Sequence, residues 1–346
     1  CLHAALTPYQ IEVQVYHNLI ETVRQNLSVL HRYMGFRKKI LNLDEIHFYD
    51  IHTPLFPIAD QRFSTDKAKS IVLESVHPLG TEYQNILEKG LNAERWVDWY
   101  ENAQKRSGAY SSGCYDSHPY ILMNYQGTLR DLMTLTHEGG HSMHSFYSNQ
   151  KQPYQYAQYS IFVAEVASTF NEELLFRHLL ERASSKEEKA YLINGKLDDI
   201  RATFFRQTQF AEFELGLHEL AENGIPLTPS NIKKKYRSLS SDYYGPHFTV
   251  DSEIDVECLM VPHFYANFYV YQYATGICAA NILADRLLKE GEKARQRYLK
   301  FLSSGSSLSP IELLKLAGVD MCMPDPILAL IKRFDDLISE LELLLL

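Results

Sequence analysis

The sequence holds no two cysteines at redox or metal-binding spacing. Cys1, Cys114, Cys258, Cys278 and Cys322 are scattered through 346 residues with no C-x-x-C, so reduced thiols in a cytoplasmic protein are the expectation. No apolar run is long enough to span a bilayer and no secretory signal opens the chain, so no membrane partner is expected. A basic excess is also missing: the net charge of −9 argues against a nucleic-acid partner, because phosphate recognition requires a cationic face. The acidic residues are spread over helical patterns, as on solvated faces. No internal repeat, low-complexity tract or composition shift marks a boundary, and residues 1–346 read as a single domain. A start at Cys1 in place of Met predicts that the natural N-terminus lies further upstream.

What is present is helical periodicity. From Pro8 to Lys39, apolar residues recur at helical spacing (Ile11, Val15, Leu19, Val23, Leu27, Leu30). Two prolines within His52–Pro57 break the pattern, and helix is expected again from Thr65 through Arg106, punctuated by Gly80 and Gly90. Ser107–Gly113 reads as a turn or strand and Tyr120–Tyr125 as a short strand. From Thr128 onward the chain reads as mostly helix. Breaks are expected near Gln152-Pro153, Asn223–Pro226, Tyr244–Pro246 and Ser303–Pro310. The fold class is therefore mainly α, with a small sheet beside one helix.

That helix carries the chemistry. Thr136-His137-Glu138-Gly139-Gly140-His141 contains H-E-x-x-H. Residues four apart on a helix lie about 40° apart in azimuth, so His137 and His141 can present two imidazoles to one ion. Glu138 then reaches a bound water instead of the metal, the position of a general base. The alternative is two surface histidines flanking a solvated glutamate. Gly139-Gly140 weakens the helix, yet small residues also admit a second backbone close to the site. Downstream, Glu165 is the one carboxylate in the apolar run Ile161–Ala167. A buried carboxylate needs a cation or a strong partner, and a zinc ion shared with His137 and His141 is one such cation. The other possibilities are an arginine or an escape to solvent. A His2Glu set leaves a fourth tetrahedral position open for water, as a catalytic site requires, and it tolerates several divalent ions. His144 lies roughly 10 Å along the helix, too far to be a ligand, and is supporting or core. Glu172 could orient a ligand imidazole or be a surface residue.

His263–Tyr273 is unusually aromatic, with Tyr265 and Tyr269 one helical turn apart and Phe264 and Phe268 repeating that spacing. Such a stripe is ordinarily core packing. The functional reading is that His263 or a tyrosine hydroxyl donates to the oxyanion of a tetrahedral intermediate. Arg201 or Arg206 could clamp a substrate carboxylate, or pair with Glu212 or Glu214 on the same helix.

Thr134–His144 and Ile161–Ser168 together resemble the M3 family of zinc peptidases, in its oligoendopeptidase F branch. Further matches are Arg206-Gln207, Phe210–Glu214, Pro262–Gly276, Gly108-Ala109-Tyr110 and Asn124–Thr128. The resemblance implies a zincin-like helical catalytic domain lining a deep substrate channel. It implies one Zn2+ per chain on His137, His141 and Glu165, with Glu138 as the base and short unfolded oligopeptides as substrates. His263 with Tyr265, Tyr269 or Tyr271 would face the scissile carbonyl. The strand at Gly108, Ala109 and Tyr110 would pair with the peptide backbone. Two departures stand out. Gly139 occupies a position where the family usually carries a bulky apolar residue, and family members are longer, with an N-terminal helical lobe.

Overall fold

The computed structural model describes residues 1–56 and 62–345. In chain order, α1 (Leu2–Leu6) leads into α2 (Val13–Gln25) and α3 (Ser28–Ile40), which part at Asn26 within the first predicted helical stretch. Phe48–His52 is a 3₁₀ turn; of the predicted loop, Pro57 lies outside the described residues. The second helical stretch is shorter than predicted. It consists of α4 (Thr65–Ser75) and α5 (Thr81–Leu91), after which Val97–Asp98 forms strand β1. The strands β2 (Tyr110–Ser112) and β3 (Tyr120–Leu122) follow. Then come α6 (Leu129–Lys151), α7 (Tyr154–Ala157), α8 (Ile161–Arg182), α9 (Lys186–Ile200), α10 (Arg206–Glu222) and α11 (Pro229–Tyr244). Two 3₁₀ segments, Ser252–Met260 and Pro262–Tyr265, precede α12 (Tyr271–Glu290), α13 (Glu292–Leu302), α14 (Pro310–Ala317) and α15 (Asp325–Leu345). All four predicted breaks fall between helices.

The described residues form two compact units. One comprises residues 1–56, 184–278 and 321–345; the other comprises residues 62–183 and 279–320. In the first, α15 packs on α9, α2 and α3, with Phe334 against the buried rings of Tyr33 and Phe205. In the second, the α6–α8 pair is the centre. Strand order is β1-β3-β2, with β1 parallel to β3 and β2 antiparallel to it, so that Ser111 lies opposite Ile121. Both β2 and β3 lie against α6, which is the small sheet predicted beside this helix. No helix among the described residues is long and apolar enough to cross a membrane.

Candidate active site

Helix α6 starts from a reciprocal cap. The Thr128 hydroxyl accepts from the Asp131 amide, and the Asp131 carboxylate accepts from the Thr128 amide at 2.9 Å. This satisfies donors that the first turn would otherwise leave open. From there Leu132, Leu135, Thr136, Gly139, Gly140, Met143 and Tyr147 are buried along one face. Helix α8 is buried nearly all round, through Phe162, Val163, Val166, Phe170, Leu174 and Leu175. The two backbones meet at Gly140. A Cβ there would lie 2.6 Å from the Ala167 carbonyl oxygen and 2.7 Å from Ser168 Cα. Glycine is thus what brings α8, and with it Glu165, within reach of the two histidines.

One ligand atom from each of His137, His141 and Glu165 lies within 4.8 Å of the others. The two Nε2 atoms are 3.1 Å apart, and the Glu165 oxygens stand 3.8 Å from His137 and 4.0 Å from His141. Ligand bonds of about 2.0–2.1 Å in a tetrahedral shell require edges of about 3.3 Å, so a small inward movement of the carboxylate completes the set. The group fits a zinc site. Glu172 Oε1 accepts from His137 Nδ1 at 2.6 Å, leaving Nε2 directed at Glu165. The Ala164 backbone accepts from the His141 ring.

Electrostatics mark the same point. Burial opposes a charge on His137, but Glu172, with Glu165 and Glu138 behind it, overrides that and raises the imidazole to about 9. Burial and the neighbouring His137 push His141 down to about 3. Burial also raises the carboxyls of Glu138 and Glu165. Three carboxylates around two imidazoles form a nest that draws in positive charge.

Glu138, next to the first ligand on α6, lies close enough to His137, Glu165 and Glu172 to feel their charges and also reaches Ser111 of the sheet. It is 6% exposed, and Oε2 has no hydrogen-bond partner. The backbone amide of Ser111 on β2 favours its ionised form. The Ser111 hydroxyl also meets Ser142 of α6 at 2.8 Å, tying strand to helix. Ser111 is a residue that reading the sequence missed, because nothing local to it signals a partner 27 residues away. Ahead of it, Gly108 adopts φ +87°, a left-handed conformation suited to glycine, and its carbonyl accepts from Asn124 Nδ2. Ala109 and Tyr110 follow, with Tyr110 half-exposed on the edge strand.

A model of peptidase family M3 matches residues 1–333. The chain belongs to peptidase family M3. It is 50% identical to oligopeptidase PepF of Bacillus subtilis over 99% of its own length and 51% of that protein's. It is 45% identical to an oligoendopeptidase F homolog of Borreliella burgdorferi, over 90% and 53% of the two lengths. The chain thus spans about half the length of these relatives. Among solved structures, oligoendopeptidase F from Enterococcus faecium superposes with a TM-score of 0.77 at 35% identity, covering 99% of this chain and 55% of that one. A candidate peptidase of Chlamydophila abortus reaches 0.92 at 46% identity, over 99% and 57%.

His144 is buried, stacked on Tyr159 at 3.6 Å, and burial pushes it down to about 3; it is packing. The aromatic segment is not the helix its spacing suggested. Pro262–Tyr265 is a 3₁₀ turn, Phe268 has φ +54°, and regular helix begins only at Tyr271. Tyr265 and Tyr269 therefore do not share a helix face, and Tyr265 is 95% exposed. His263 instead stacks on Tyr269 at 5.8 Å, with Tyr273 edge-on to both. Tyr271 is buried against Tyr16. Arg206 pairs with Glu257 and Arg201 with Asp198, whereas Glu212 pairs with Arg24 and Glu214 accepts from the Phe268 amide. The expected pairing fails because Arg206 is six and eight residues, and Arg201 eleven and thirteen, from Glu212 and Glu214, whereas helix side chains meet at three or four.

Proposed function

We propose that the chain is the catalytic part of a zinc-dependent oligoendopeptidase that hydrolyses internal bonds of short unfolded peptides. The observation that carries this reading is the convergence of His137, His141 and Glu165 within 4.8 Å, with Glu138 on the same helix turn. His137, His141 and Glu165 would hold the zinc ion, which when bound would supply Lewis-acid chemistry to the hydrolysis. Glu138 takes the proton of the attacking water and passes it to the leaving amine. Its buried, unpartnered Oε2 supports that role, since a base in a dry site gains most when it accepts a proton. Glu172 holds the His137 ring and its tautomer. The edge strand β2, beginning at Tyr110, and the residues leading into it, Gly108 and Ala109, would offer main-chain groups to an extended substrate. By the M3 resemblance, His263 and one or more of Tyr265, Tyr269 and Tyr271 would be the donors to the oxyanion.

The test is hydrolysis of internally quenched peptides blocked at both ends. Cleavage at internal bonds, abolished by a chelator and restored by zinc, is the expected result. Cleavage only of peptides with a free terminus would replace this reading with an exopeptidase. Zinc binding without any cleavage would mean that the chain's metal is structural.

A further inference from the structure

Ser111 is the middle residue of β2 and stands opposite Ile121 on β3. The Ile121 amide donates to the Trp96 carbonyl at 2.7 Å, so its main-chain groups face the β1 side. Directly opposed antiparallel residues exchange both main-chain hydrogen bonds or neither, and this pair exchanges neither. The Ser111 N–H is therefore free of the ladder and turned to the open edge of the sheet. There it reaches the Glu138 carboxylate. Glu138 Oε2 has no partner that would also hold it, so this amide is what orients the carboxylate.

Against α6, Ser111 is held by its side chain. Its Oγ lies 2.8 Å from Ser142 Oγ, and Ser142 is fully buried. Ser142 follows Glu138 by four residues, so both project from one face of α6, one turn apart. That face meets a single strand residue twice, with Glu138 at its amide and Ser142 at its hydroxyl. Tyr110 and Ser112 on either side are exposed, so Ser111 is the inward anchor of this three-residue strand. Removing either hydroxyl deprives the other of this bond and frees the strand edge to shift against the helix.

We propose that Ser142 is a positioning residue for the general base: by holding Ser111 through its hydroxyl, it keeps the strand amide aimed at Glu138. The proposal rests on Glu138 being the base of the proposed hydrolysis. Ser142 touches no reacting atom, and its effect is confined to the alignment of the carboxylate that takes the proton. A misplacement of about 1 Å in such a group costs up to about 10²-fold in rate. The loss therefore falls on kcat, while substrate affinity and zinc binding hold.

The test compares Ser142→Ala, Ser111→Ala and Ser111→Thr in the full chain, on end-blocked quenched peptides. Ser142→Ala should lower kcat about tenfold, with KM within about twofold and zinc content unchanged. Ser111→Ala should match it, the double variant should lose no more than either, and Ser111→Thr should recover most of the loss. In a Glu138→Gln background, Ser142→Ala should have no further effect. A second readout needs no activity: exchange of the Ser111 amide in the zinc-free chain, followed by NMR, should speed up about tenfold in Ser142→Ala. If circular dichroism shows that Ser142→Ala has not folded, Ser111→Ala against Ser111→Thr carries both readouts. Full kcat in Ser142→Ala beside an active wild type, or losses that multiply in the double variant, overturns the assignment and leaves the peptidase reading standing. An inactive wild type fails the peptidase reading instead, and amide exchange then decides alone: no acceleration overturns the hold of Ser142 on Ser111.

Discussion

The α6–α8 pair and the segment from Ser252 to Val270 both display chemically capable side chains at four-residue spacing, yet only the first uses that spacing. In α6 a reciprocal Thr128–Asp131 cap and a continuous buried face fix regular helix, so His137 and His141 converge as their separation requires. In the aromatic segment Pro262 and the left-handed Phe268 interrupt the backbone, and tertiary contacts take over. Phe264 packs on Phe210 and Phe213, Phe268 packs on Tyr16 and His218, and Glu214 holds the Phe268 amide. A four-residue repeat carries geometric meaning only where caps and packing have already fixed the helix.

The contrast can be broken at its tightest point first. Gly140→Ala drives a Cβ into the Ala167 carbonyl, and overpacking of this kind should cost about 3 kcal/mol in chemical denaturation. A loss below about 0.5 kcal/mol would mean that α6 and α8 are not held together there. The aromatic segment is probed through Glu214. Burial raises its folded-state carboxyl above the unfolded value to about 7, so the folded state favours the protonated form. Its stabilising effect is therefore full below the ordinary carboxyl range and is lost as pH rises through 7. Relative to wild type, Glu214→Gln should gain about 3 kcal/mol of stability between pH 4.5 and pH 8. A pH-independent difference in thermal unfolding would contradict this. Glu172→Ala removes the partner of His137 Nδ1 and should weaken zinc binding 10–100-fold with little change in fold, measured by competition with a chromophoric chelator. The smallest effect belongs to Gly139→Ala. Its Cβ would meet only Leu87 at 3.7 Å, an ordinary contact, so helix propensity should stabilise the protein by about 0.5–1 kcal/mol. Destabilisation there would show that the neighbouring glycines act as a pair.

Where local physics decides, the sequence was legible. Proline and glycine ended helices at Lys151, Glu222, Tyr244 and Leu302, and one carboxylate in an apolar run drew attention to Glu165. Where distant partners decide, it was not. β1 is two residues long and exists through its parallel pairing with β3, including the bond from Ile121 N to Trp96 O at 2.7 Å, so no local pattern separated it from the helices before it. The Ser111 contacts to Glu138 and Ser142 are likewise made across elements. The partner of Arg206 proved to be Glu257, 51 residues away, which periodicity along α10 could not indicate.

The most direct measurement is zinc content together with peptide hydrolysis in Glu138→Gln. The account predicts one zinc per chain, as in wild type, with turnover of an end-blocked peptide reduced by about 10²–10⁴-fold. Near-normal turnover in that variant, or a wild-type chain that takes up no zinc, would contradict it.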